Sequence, residues 1–121
     1  MYMRAIPVLH VGDSRAASSF YCGKLGFSEK FAYRFDDKQS DPCYMGLIRE
    51  DVVLHFSSFS GDAVSGGAVF IVVENVDELY EEFRGTGVDV QLPPTDQSWG
   101  NREMYVEDPD GNSLRFVHFG K

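Results

Sequence analysis

Long apolar runs are absent from this 121-residue chain, and no stretch approaches the roughly 20 residues that a membrane-spanning helix requires. Its start, Met1-Tyr2-Met3-Arg4, lacks the charged segment and apolar run of a secretory signal. Cysteine is scarce: Cys22 and Cys43 form neither a CxxC pair nor a metal-type spacing, so both read as reduced thiols of a cytoplasmic protein. Basic residues are also in short supply, 11 Lys and Arg against 19 Asp and Glu, for a net charge of −8. A polyanion needs a basic face, so nucleic acid is excluded as the expected partner, and the field favours a cationic ligand. Tryptophan occurs once, at Trp99.

Other aromatics are plentiful, with ten Phe and six Tyr, and 43% of the chain is apolar. That is enough for a core without disulfides at this length. A weak repeat organises the chain. Leu9-His10-Val11-Gly12-Asp13 and Ile71-Val72-Val73-Glu74-Asn75, 62 residues apart, each read as a strand that ends at a helix-capping side chain. Ala16, Ala17, Phe20 and Tyr21 then fall at helical spacing, as do Val76, Leu79, Tyr80 and Phe83. Gly26 and Gly87 are placed to end the two helices.

Strands follow each helix. Phe31, Tyr33 and Phe35 alternate within 27–36, and a polar turn over 36–42 leads to strands over 43–49 and 52–59. In the second half a short strand over 88–92 precedes a loop over 93–100. Strands over 102–106 and 113–119 then form a hairpin closed by Asp108-Pro109-Asp110-Gly111-Asn112. The reading is a single α+β domain made of two βαβββ modules, about 1–59 and 68–121, joined by a Ser- and Gly-rich linker at 60–67.

Three segments carry a family resemblance that covers nearly the whole chain: Pro7-Val8-Leu9-His10-Val11-Gly12-Asp13, the FYxxxLGF stretch from Phe20 to Phe27, and Val106-Glu107-Asp108-Pro109-Asp110-Gly111-Asn112. Together they resemble the vicinal oxygen chelate superfamily of glyoxalases, extradiol dioxygenases and fosfomycin and bleomycin resistance proteins. Within it, Val76-Asp77-Glu78-Leu79-Tyr80-Glu81-Glu82-Phe83 and Trp99-Gly100-Asn101-Arg102-Glu103 are most similar to bleomycin resistance proteins. The resemblance implies paired modules whose curved mixed sheets enclose a cleft. It also implies a homodimer that sequesters a small molecule at the subunit interface without altering it.

Metal enzymes of the superfamily carry His, Gln or Glu at positions that the resemblance assigns to Ile6, His55, Ala68 and Arg115. Only His55 is a donor there, and Arg115 would repel a cation. The resemblance therefore implies no metal, no cofactor and no catalytic residue. The alternatives are a metal-dependent glyoxalase- or dioxygenase-like enzyme with non-standard ligands, and a dimerisation module with a vestigial groove.

Strand alternation then divides the residues. With His55 and Arg115 in the cleft go Val8, His10, Val53, Ser57, Phe59, Phe70, Val72 and Val117. Leu9, Val11, Leu54, Phe56, Val69, Ile71, Val73, Leu114 and Phe116 form the core face, and His118 points away from Arg115. The expected ligand-binding residues are His55, Ser57, Phe59, Phe70, Trp99, Gly100, Arg102, Arg115, Phe31 and Tyr33. Trp99 reads equally as a dimer-contact or loop-anchoring residue, Arg115 as a partner of a carboxylate such as Glu103, and Arg102-Glu103 as a cross-strand ion pair.

Overall fold

The computed structural model describes residues 1–120, which divide into two compact units, Met1–Ser65 and the segment from Gly66 onward. The first unit contains β1 (Val8–His10), α1 (Ser14–Gly23), β2 (Ser28–Arg34), β3 (Cys43–Arg49) and β4 (Val52–Ser57). The second contains β5 (Ala68–Val72), α2 (Val76–Thr86), β6 (Val90–Asp96), β7 (Arg102–Glu107) and β8 (Ser113–His118). Strand orders are β1-β4-β3-β2 and β5-β8-β7-β6. In each sheet the first strand pairs in parallel with the last, and the remaining pairs are antiparallel. The βαβββ reading thus holds in both halves.

Both helices begin where a side chain satisfies their free amides. Asp13 accepts from the Arg15 and Ala16 amides, and Asn75 from the Glu78 amide. Gly87 ends α2 in the left-handed conformation. Regular α1 ends at Gly23, but the Phe27 amide still reaches back to the Tyr21 carbonyl while Gly26 takes φ +79°.

A second anchor for α1 comes from the 36–42 turn. Asp41 accepts from the Ser14 amide and the Ser58 hydroxyl, while the Ser14 hydroxyl donates to the Ser40 carbonyl. The same Ser58 oxygen accepts from the Cys43 amide, so turn, helix and two strands share one polar junction. Burial pushes the Cys43 thiol up, which keeps it protonated and unreactive.

The helix-covered face of each sheet forms the core. Tyr21 of α1 packs against Phe56 and Phe27, with Leu9, Met45, Leu47 and Leu54 buried around them. Phe83 of α2 meets Phe116 edge to face, with Met104, Val106 and Leu114 buried beside them. The expected core face is correct, with Val69 and Val73 only partly covered. On the other face Val53, Ser57 and Val117 are also buried, contrary to an open lining at those positions.

The expected loop over 93–100 is confined to 97–100. β6 continues through Pro93 and Pro94 to Asp96. It is an edge strand whose pairing with β7 is irregular between Leu92 and Thr95, so a missing amide there breaks no required ladder bond. The 108–112 turn forms as expected. Asp108 accepts from the Asp110 and Asn112 amides and from the Asn112 side chain. Asn112 in turn accepts from the Gly66 amide, and the Ser113 amide donates to Gly67, which ties the start of the second unit to its last hairpin.

Candidate functional site

In the first unit, the face opposite α1 carries an aromatic group around His55. Phe31 and Tyr33 of β2 lie beside Gly46 and Tyr44 of β3, and Gly46 is paired with His55 of β4. The Phe31 ring covers Gly46, where an added Cβ would sit 2.4 Å from a ring carbon. It meets His55 edge-on at 5.2 Å, and the Tyr44 hydroxyl is 2.9 Å from His55 Nδ1. Tyr33 stacks on Phe59 at 6.3 Å. Burial, then the positive charges of Lys30 and Arg4, lower the His55 pKa, which keeps the imidazole neutral at pH 7. Ser57 lies on this face but is buried, and its hydroxyl oxygen accepts from the Phe59 amide.

In the second unit, the face opposite α2 carries Phe70, Arg115, Glu103 and Tyr105 on adjacent strands. The Arg115 guanidinium rests over the Tyr105 ring at 5.1 Å. Arg115 forms no ion pair with Glu103, contrary to the expected pairing. The buried Glu103 carboxylate instead accepts from Trp99 Nε1 at 2.8 Å and from the Tyr105 hydroxyl at 2.6 Å, with a further bond from the Asn101 side chain. Burial pushes the Glu103 pKa up. The three hydrogen bonds and the nearby charge of Arg115 outweigh it and hold the carboxyl below the usual range. Trp99 sits in the tight β6–β7 turn, its indole N–H bonded and its ring largely exposed, and Gly100 follows at φ +100°.

Arg102 stands apart from this group. It points to the helix-covered face, bonds Asp77 of α2 through two nitrogens and bonds Asp96 through a third. The Arg102-Glu103 ion pair is therefore overturned, because neighbouring residues of a strand point to opposite faces. His118 pairs in register with Arg102 on that same face, opposite to Arg115 as expected.

The expected ligand-binding residues thus fall into a His55, Phe31, Tyr33 and Phe59 group and a Trp99, Arg115 and Phe70 group. Tyr44 and Glu103 lie beside them; the sequence did not single out Tyr44 and named Glu103 only as an ion-pair partner of Arg115 or Arg102. Their signal was alternation, since each lies on the same face as an expected site residue. Among the described residues, no three His, Cys, Asp or Glu side chains converge as a metal ion requires. His55, with one nitrogen bonded to Tyr44 and Phe31 against its ring, does not fit a superfamily-type metal centre by itself.

Duplicated βαβββ units with matching strand order, each leaving aromatic and polar side chains on a face without a helix, define the glyoxalase/bleomycin resistance fold. The chain belongs to the glyoxalase superfamily, matching the family described as "Glyoxalase superfamily protein" over residues 1–120. It is 31% identical to bleomycin resistance proteins of Geobacillus stearothermophilus and Staphylococcus aureus, over 94% of this chain and 95% of theirs. Among solved structures, it resembles the bleomycin-binding protein of Streptomyces verticillus complexed with copper(II)-bleomycin. That likeness has 28% identity and a TM-score of 0.72, over 100% of this chain and 98% of the other. A bleomycin-binding protein complexed with bleomycin is similar at 25% identity and a TM-score of 0.75, over 97% and 98% of the two chains. No helix among the described residues is long and apolar enough to cross a membrane.

Proposed function

We propose that this protein is a binding protein of the bleomycin resistance type. It sequesters a flat, cationic small molecule, unaltered, on the helix-free sheet faces, and acts as a homodimer in the cytoplasm without metal or cofactor. The observation that carries the reading is the set of large aromatic rings left in solvent on those faces. Phe31 is 39% exposed, Phe70 53%, Tyr33 59% and Trp99 63%, while the opposite faces are packed. Rings left exposed beside a few polar groups suit stacking on a flat ligand. The net charge of −8 favours a cationic one. Curated relatives at 31% identity that bear the bleomycin resistance name support the ligand class.

Binding requires ring faces and hydrogen-bonding groups already in place, and no step of bond making. On the first unit His55 would orient a ligand on which Phe31, Tyr33 and Phe59 would stack; on the second Arg115 would orient it, Phe70 and Trp99 would stack on it, and Gly100 would allow its close approach. The test is a titration of metal-analysed protein with metal-free bleomycin, read by Trp99 fluorescence. Saturable quenching without chemical change in the recovered drug is expected. A flat titration through the high micromolar range would remove bleomycin as the ligand.

A further inference from the structure

Glu103 is 3% exposed, and a buried carboxylate is costly unless its oxygens are satisfied. Both are: Oε2 by the Trp99 indole N–H and Oε1 by the Tyr105 hydroxyl. The β6–β7 turn does not need this carboxylate to close. The Gln97 amide already donates to the Asn101 carbonyl at 2.7 Å, and the Gly100 amide to the Gln97 carbonyl at 3.0 Å. What the backbone bonds leave unset is the direction of the Trp99 ring, which is 63% exposed and has no ring partner among the described contacts. Bonds to an ionised acceptor are about twice as strong as neutral ones. Tyr105, held by the other oxygen, carries the Arg115 guanidinium on its face.

We propose that Glu103 is a positioning residue. By holding the Trp99 indole N–H on one oxygen while the Tyr105 hydroxyl satisfies the other, it sets the Trp99 ring in advance as a platform for a flat heteroaromatic ligand group. Glu103 meets no ligand itself and acts through Trp99. A ring fixed before binding loses less freedom on binding, so the hold on Trp99 appears as affinity. The inference rests on the proposed ligand-binding role for its affinity measurements, and on Trp99 alone for the others.

The experiment has two arms. In the first, without ligand, the single tryptophan is followed by acrylamide quenching, fluorescence anisotropy and hydrogen exchange of its indole N–H. Wild type should show a slowly exchanging indole proton and a restrained ring, and Glu103→Ala a faster-quenched, more mobile one. In the second, metal-free bleomycin is titrated by calorimetry. Glu103→Ala should weaken binding about tenfold, and Glu103→Gln, which keeps one acceptor oxygen, should restore part of the loss. On a Trp99→Phe background, Glu103→Ala should cause no further loss, because the ring it acts through no longer has an N–H. An equal loss on that background would overturn the proposal, as would an indole proton in wild type exchanging as fast as free indole. The exchange measurement needs no variant and decides the matter if Glu103→Ala fails to fold. If wild type does not bind bleomycin, the ligand reading fails alone and the first arm still judges Glu103.

Discussion

The Tyr44 hydroxyl lies 2.9 Å from His55 Nδ1, a diagonal pair across β3 and β4, and leaves the other imidazole nitrogen without that restraint. Because burial and the charges of Lys30 and Arg4 disfavour the imidazolium, the folded protein binds this proton less readily than the unfolded chain. Between the folded pKa and the ordinary imidazole value of 6.5, the unfolded state therefore carries more protons, and stability rises with pH. His55 should titrate below 6.5 by NMR, and the denaturation midpoint should fall as pH is lowered through that window. In His55→Gln this component of the pH dependence should vanish.

Glu103 gives a second acid-side signature. Its folded pKa lies below the ordinary 4.5, so its stabilisation is complete above that value and is lost as pH falls through the folded pKa. Trp99 emission should change in the same acid range, before global unfolding seen by far-UV circular dichroism. If the emission change coincides with unfolding at every pH, the carboxylate does not control the indole separately.

Gly46 is required by its neighbour rather than by its own backbone. Gly46→Ala should force Phe31 off the sheet face, since the added Cβ would meet that ring at 2.4 Å. A cost of about 1–3 kcal/mol is expected by urea denaturation. Near-UV circular dichroism should change with it, and bleomycin affinity should fall if Phe31 contributes to binding.

Asp108 carries the last hairpin. Asp108→Ala removes the acceptor for two amides and the Asn112 side chain, in a turn where Asn112 is fully buried. A loss of about 2–4 kcal/mol should appear in chemical denaturation. Asp108→Asn should recover part of it, because one side-chain oxygen remains.

Arg102 separates the two faces of its sheet. Arg102→Met breaks the ties to Asp77 and Asp96, which are exposed enough for salt to screen. Its small stability deficit should shrink in 1 M salt, a concentration at which the screening length is about 3 Å. Bleomycin affinity should stay near wild type, because the guanidinium lies on the helix-covered face; a large affinity loss would place it in the site after all.

Local chemistry made much of this legible in the sequence. Asp13 and Asn75 announce their helices because capping acts within three residues, and the 108–112 turn is readable for the same reason. Alternation separated Leu54 and Phe56 from His55 because one face is buried. The partners of Asp41, Tyr44 and Glu103 were not legible. Each depends on strand register or on a turn folding back onto a helix, and periodicity specifies neither. Pro93 and Pro94 suggested a loop because proline forbids a central strand. Only the strand order reveals an edge where proline is tolerated.

The bond from the Gly66 amide to Asn112, with that from Ser113 to Gly67, bears on how the chain would respond to a protease. A cut within residues 61–64 would sever no sheet ladder. The downstream fragment would keep its first strand clamped to its last hairpin, and the upstream fragment would keep all four strands of its own sheet. A nick there would be chemically complete yet leave the hydrogen-bonded ladder of each sheet whole, so cleavage alone would go unseen by a probe of sheet content.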